Sequence, residues 1–550
     1  MSALQTHPPA RAAVAAPPPA RHRFWIPVSV LVLLAASLAT PVVLLEFEKF
    51  PEDLQHIAMM AALFGVLGAA TIIVLWWFFL SGFSWRTRIA VVVLLGMIGS
   101  GFYYVIRKPI EFTLFKHLYL VPKFTFIWQK TPDEIRTAHK ATEDKTELPP
   151  IDLTIKPTDY PRFCGRDGDS VAHGPALALD WSSAKPKILY KRPCVHGYSS
   201  FAVAGNAAIT IEQIDDKQTV VCYDRNTGHE RWTCDQLGSF KNIMGDGPRA
   251  TPTIDDKGMV FALGATGILV CLDGATGKEQ WQINILEDNA SKNVLWGMSG
   301  SPLIVDDVVV VNPGVDPAKP AGRAICAYDR KTGKRIWAAG DHKAGYSSPR
   351  LATLCGVRQI LLFDGEGLAG LDPTNGNELW RYGWTTAYDM NNIQPVVCGD
   401  DRIFISSELS NGCAMVRVKK GMDGWSVKEE WKHKRFWAKF SNPVFVSPAL
   451  YGLSGGDLIS LDVENGKLFW KERGRGRFGQ GQVLAAGDRL LVQSDDGTIF
   501  LVAAETTAYK ELGQLKVLDG KTWNTPALAG TQLFLRDNEK EMACVELPTR

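Results

Sequence analysis

At 550 residues the chain exceeds what one ordinary hydrophobic core supports, so several units or a repeat array are expected. Its 60 basic and 58 acidic residues nearly cancel, which excludes a dedicated nucleic-acid binder, because such domains carry a strong basic excess. The 17 Trp, 50 Gly and 31 Pro suit many short strands joined by tight turns.

Residues 1–23 are rich in Ala and Pro, show no periodic apolar face and read as a disordered tail. Three apolar stretches follow at roughly 24–45, 57–80 and 89–106, each long enough to cross a hydrocarbon core of about 30 Å as a helix. Segment 24–106 is therefore expected to form three transmembrane α-helices. Arg11, Arg21, Arg23, Arg86 and Arg88 flank the sides that the positive-inside rule assigns to the cytoplasm, whereas the intervening "EFEKFPEDLQH" is acidic. The tail is then cytoplasmic, and everything after Arg107 lies across the membrane, beginning with a juxtamembrane linker over 107–158. All ten cysteines lie between Cys164 and Cys544 with no C-x-x-C and no adjacent pair, so zinc-ribbon and thioredoxin readings fail. Cys222 and Cys271 occupy matching strand positions and read as small buried hydrophobes; a Cys164–Cys194 disulfide is the alternative in an oxidising compartment.

From here one phrase recurs. "CYDRNTGHERW" ends at Trp232, "CLDGATGKEQW" at Trp281, "AYDRKTGKRIW" at Trp337, "GLDPTNGNELW" at Trp380 and "SLDVENGKLFW" at Trp470. Trp431 closes a degenerate copy, and Tyr190 and Leu512 fill two further slots, giving eight positions 39 to 56 residues apart. That period with strand-like content signals a propeller. Each unit reads as four short strands, as in "RATPTI", "GMVFALGA", "GILVCLD" and "KEQW" over 249–281. The Asp of the phrase can cap the next turn, its Gly (228, 277, 333, 376, 466) supplies a positive φ, and its Trp packs between neighbouring sheets. The C-terminus supplies three strands without a fourth, and "KILYKRP" at 187–193 is a lone strand. The two are expected to combine, closing an all-β, eight-bladed β-propeller of four-stranded blades over 159–550.

These phrases resemble the tryptophan-docking motif of pyrroloquinoline-quinone-type (PQQ-like) repeats, in five good copies and three degenerate ones across about 160–550. The resemblance implies the propeller of the quinoprotein alcohol dehydrogenase-like superfamily. That superfamily holds dehydrogenases and non-enzymatic relatives, including the lipoprotein of the outer-membrane protein assembly machine. Together with the three expected spans and their charged flanks, the expectation is a bacterial inner-membrane protein with its propeller in the periplasm. "DYPRFCGRDGDS" at 159–170 resembles a lead-in to such propellers and reads as a turn-rich plug or strap.

Aligning the innermost strands places Ser200, Thr251, Ser301, Ser348, Gln394, Asn442, Gln482 and Thr525 in one ring. Tyr198, Arg249, Ser299, Tyr346, Asn392, Phe440, Gln480 and Trp523 form a second ring two residues earlier. Such a mouth is a candidate ligand site, and the side chains singled out as cofactor-binding candidates are Arg249, Ser301, Ser348, Gln394, Asn442, Gln482, Thr525 and Trp523. Loops 432–440 and 471–480 are basic and aromatic and would attract an anionic ligand or a protein partner. A dehydrogenase of this superfamily would need PQQ, a calcium ion held by a carboxylate and an Asp base, yet neither ring contains Asp or Glu and no Cys-Cys pair exists. Asp246, Asp341 and Asp389 in the mouth loops are the substitutes. H-E-x-x-H and Walker patterns are absent. The expected function is a membrane-anchored binding or scaffold module with no metal and no assigned catalytic residue. A PQQ-dependent dehydrogenase passing electrons from an alcohol or sugar to membrane quinone is the alternative.

Overall fold

The computed structural model describes residues 126–550 apart from 144–146, 319–322, 409–410, 473 and 475; before them it describes 30, 68–69, 71–80, 82–106, 111–115 and 119–123. The chain divides into two compact units, Met1–Gln129 and Lys130–Arg550. In the first unit the helix Trp85–Val105 is the one element, among the described residues, long and apolar enough to cross a membrane. Ser84 caps it, accepting a hydrogen bond from Thr87 N (3.2 Å), and Val93 and Leu95 on its surface are more than half exposed. It overlaps the third expected span. The first expected span lies outside the described residues except Val30, and the second is described only over 68–69 and 71–80. Three spans are thus not supported by the described residues. The stretch expected as a linker contains an antiparallel hairpin, Glu111–Phe115 with Tyr119–Lys123, and, in the second unit, the helix Pro132–Ala141 with a Thr131/Glu134 capping box.

The second unit holds eight four-stranded antiparallel sheets. Counting by innermost strand, blade 1 starts at Ala202, blade 2 at Thr253, blade 3 at Leu303 and blade 4 at Arg350. Blade 5 starts at Val396, blade 6 at Val444, blade 7 at Gln482 and blade 8 at Ala527. Blade 8 takes its fourth strand from Lys187–Pro193, which pairs antiparallel with Glu541–Glu546 (Tyr190 opposite Cys544), so the ring closes as its sequence implies.

The recurring phrase acts at both ends of each blade contact. Asp273 accepts from Thr276 N (2.9 Å) and Thr276 Oγ1 (2.8 Å), and Asp329 does the same for Thr332 (2.8 Å each). These hydrogen bonds hold the Asp329 carboxyl below its ordinary range. The turn glycines have φ of 67–75°. They do something more that φ alone does not reveal: each is the seat for the preceding blade's aromatic ring. A Cβ at Gly277 would sit 2.6 Å from the Trp232 ring, one at Gly333 2.7 Å from Trp281, and one at Gly376 2.5 Å from Trp337. Trp232 and Trp281 also donate their indole N–H to carbonyls of the next blade's turn, Gly274 O (2.9 Å) and Arg330 O (3.1 Å). On the third strand the residue facing the ring is small in most blades, Cys222, Cys271, Ala327 or Gly370, which explains two of the cysteines. All ten cysteines are free thiols, so Cys164 and Cys194 are not bridged.

Blade 7 corrects one expectation. Its docking position, opposite Leu501, is Gly513; Leu512 is the residue displaced by the bulge. The slot is filled from outside, because a Cβ on Gly513 would lie 2.6 Å from Trp181, whose backbone N–H bonds to Leu512 O (2.8 Å). Trp181→Ala is expected to cost about 3–5 kcal/mol, the range for emptying a buried aromatic site, read as a shift in urea midpoint. A change under about 1 kcal/mol, the level of an average substitution, would refute this role.

Candidate functional site

The ring of inner-strand polar residues is brought together as aligned, but the groups face one another. Ser200 N donates to Thr251 Oγ1 (3.0 Å), Thr251 N to Ser301 Oγ (2.9 Å), Ser301 N to Ser348 Oγ (2.8 Å) and Gln394 N to Asn442 Oδ1 (2.8 Å). Gln394, its amide oriented to satisfy both sides, donates to Ser348 O (2.9 Å) and accepts from Ser348 N (2.9 Å). Gln482 Nε2 reaches Phe440 O (3.2 Å) and Trp523 O (3.0 Å), and Ser200 Oγ returns to Thr525 O (2.6 Å). The result is a belt joining each blade to the next, and all eight residues are buried. A short hydroxyl or amide at this position reaches the neighbouring backbone N–H, which would otherwise be an orphan where four-stranded sheets end.

The channel beneath the belt is filled by the lead-in segment. Thr158 O accepts from Gly530 N (2.8 Å), Tyr160 pairs with Val203, and Pro161 O accepts from Ile254 N (2.9 Å). Cys164 Sγ meets Asn442 Nδ2 (3.2 Å) at the level of the belt. Arg350 then grips the returning chain through Asp167 O (2.9 Å) and Asp169 (3.5 Å), and Ser170 O accepts from Ala485 N (2.9 Å). One segment thus contacts blades 1, 2, 4, 6, 7 and 8. The space left between it and Ser301, Ser348 and Gln394 is about 20 Å³, room for about one water.

What remains accessible is the opposite mouth, where the inner strands begin. Trp523 stacks on Phe440 (centroids 5.4 Å) and leans on Tyr198 (6.1 Å). Two cations flank Tyr198. Arg249 lies 4.9 Å from its centroid, and Lys521 lies 5.4 Å from it and 3.7 Å from Trp523. Among the described residues neither cation has a carboxylate within 4.0 Å. Arg249 is held instead by carbonyls, Gly247 O at 2.8 Å and Gly245 O at 2.5 Å, and burial pushes its guanidinium down to about 10, so it stays charged at neutral pH. Lys521 was missed in the sequence, although it stands two residues before Trp523.

These residues do not fit PQQ with calcium. Most side-chain oxygens of the belt are engaged in blade contacts, and neither the belt nor the mouth ring offers a carboxylate for calcium. Asp246 accepts from Asn242 N (2.9 Å), Asp389 sits 3.7 Å from Lys343, and Asp341 is 3.5 Å from His342. Among the described residues no group of three or more His, Cys, Asp or Glu converges on a metal-sized site.

The sequence pattern described as outer membrane protein assembly factor BamB matches residues 216–438. A lanthanide-dependent methanol dehydrogenase of Methylacidiphilum fumariolicum is 33% identical over 83 residues, 15% of this chain and 13% of that enzyme. A quinohemoprotein alcohol dehydrogenase of Comamonas testosteroni is 28% identical over 210 residues, 37% of this chain and 27% of that enzyme. The matches therefore span about a quarter or less of those enzymes' length. The solved quinohemoprotein alcohol dehydrogenase of Pseudomonas putida superposes with a TM-score of 0.50 at 13% identity, covering 72% of this chain and 81% of that one, a likeness of fold. Residues 216–438 thus carry the repeat pattern described for BamB, and the eight-bladed unit of this chain is similar in fold to the propeller of the quinohemoprotein alcohol dehydrogenase.

Proposed function

We propose that the chain is a binding or scaffold propeller that works through its loop-side mouth. In this reading its N-terminal apolar segments hold it to the bacterial inner membrane and the propeller stands in the periplasm. The observation that carries it is the plugged channel beneath a self-paired belt, which leaves a mouth whose aligned ring is aromatic and cationic and contains no Asp or Glu. Such a mouth suits an anionic ligand or an acidic protein surface. The family pattern that matches is described by an assembly factor and not by an oxidoreductase, in accord with this reading.

The dehydrogenase reading keeps support from the two enzymes matched in sequence. Titration of PQQ into the full-length chain, with and without calcium, separates the two by calorimetry. The scaffold reading expects no saturable heat in either condition. Stoichiometric binding that requires calcium would overturn it in favour of an oxidoreductase.

A further inference from the structure

The linker meets the propeller on the mouth side. Asp133 Oδ1, in the first turn of the helix Pro132–Ala141, accepts from Asp215 N (3.1 Å). Asp215 stands in the turn after the second strand of blade 1, which runs towards the mouth because the inner strand it pairs with runs away from it. Its neighbour Asp216 pairs with Lys241 (2.8 Å), in the loop that leads to blade 2. Ile127 and Trp128, which precede this corner in the chain, are each more than half exposed.

The same face carries an apolar patch outside the two aligned rings. Ile243 in the loop from blade 1 to blade 2, Leu295 in the next loop and Tyr388 in the loop from blade 4 to blade 5 are each more than half exposed. The loops are joined, since Asn242 Nδ2 donates to Leu295 O (3.3 Å) and Trp296 packs edge-on to Tyr388 (centroids 6.0 Å). Tyr388 and Asp389 both take left-handed φ, 58° and 56°, which residues with a Cβ seldom adopt. Asn391 pins this turn by donating to Asp364 O (2.7 Å) and Trp384 O (3.0 Å). Strain held in place this way marks a side chain presented for contact. The mouth cations border the patch: Arg249 Nε donates to Trp296 O (3.2 Å) and Lys521 Nζ to Met244 O (3.5 Å).

We propose that this mouth face rests on an anionic phospholipid surface. Ile243, Leu295 and Tyr388 enter its interfacial layer, and Lys521 meets a lipid phosphate with the charge of Arg249 behind it. Aliphatic and aromatic side chains beside Lys and Arg are the combination that settles at that depth. A protein partner would account for the patch alone. A bilayer accounts as well for the linker joining the propeller on this face, because the apolar helix Trp85–Val105 precedes that linker. This inference rests on the membrane-held binding reading above and names the anionic ligand of the mouth.

The test places the full-length chain in vesicles of phosphatidylcholine and phosphatidylglycerol that carry a nitroxide-labelled lipid. Cys234 and Cys355, the two thiols that are not buried, are first changed to alanine, and a fluorophore is attached at Leu295→Cys or Met422→Cys. Met422 is fully exposed and marks the opposite face, since it follows the third strand of blade 5, which runs away from the mouth. Strong quenching is expected at position 295 and little at 422. Omitting phosphatidylglycerol or introducing Ile243→Asp should weaken it, and Lys521→Gln, at an exposed site, should lower the docked-to-free ratio about fivefold. Equal or reversed quenching at the two positions, or quenching at 295 indifferent to all these changes, overturns the proposal. The two failures stay apart: absent quenching in a chain that binds no PQQ removes this inference and leaves the scaffold reading, whereas calcium-dependent PQQ binding removes that reading whatever the fluorophores report.

Discussion

Replacing Gly333 by valine is expected to lower propeller stability by about 3–5 kcal/mol, combining a β-branched residue at positive φ with overpacking of a filled interface. The φ of 70° forbids the residue locally, and its Cβ would meet the Trp281 ring at 2.7 Å. The two contributions can be separated. Gly399 has φ 86° with nothing within 4 Å of the added Cβ, so Gly399→Ala reports backbone strain alone, about 1 kcal/mol. Gly333→Ala adds the collision with the docked indole and should cost clearly more, measured by urea unfolding of the full chain. Equal losses in the two alanine variants would show that the glycine serves the turn and not the ring.

The second large effect lies at the seam between blades 8 and 1. Arg536 is 1% exposed and crosses the seam to Val195 O (2.5 Å), Ile211 O (3.1 Å) and Thr210 Oγ1 (3.3 Å), with Glu212 3.9 Å away. Glu212 is itself wholly buried, accepting from Val195 N (3.0 Å) and Tyr223 OH (2.7 Å). Arg536→Met keeps the bulk but strands that carboxylate, so a loss of about 3–5 kcal/mol is expected. Amide exchange should rise first in strands 187–193 and 541–546, the pair that closes the ring. Converting Glu212 to Leu as well should recover part of the loss, since an uncharged pair carries no stranded charge. Unchanged exchange at those strands in the single variant would mean that the seam does not depend on this pair.

Much of the architecture was legible because it is periodic. The Asp, Gly and Trp of each phrase sit at fixed offsets, and the one orphan strand at 187–193 could pair only with the incomplete blade. The docking seat escaped notice, since a glycine's φ is a local property while the indole above it belongs to another blade. Gly513 escaped for the same reason: its indole, Trp181, comes from the segment ahead of the closing strand, far upstream. The belt residues were found at the right positions, but sequence displays side-chain types and hides the neighbouring N–H that consumes them. Lys521 was passed over because it stands outside both aligned rings.

The closing strand has a further consequence for how the chain is made. Residues 187–193 leave the ribosome long before their partner at 541–546. During that interval the strand has no legitimate neighbour, while the unfinished blades present strand edges to it and to other chains. Lys187, Lys191, Arg192 and Pro193 within the seven-residue strand are the residue types that discourage premature pairing. A propeller assembled this way trades rapid, local folding for a lock that engages once every blade is present.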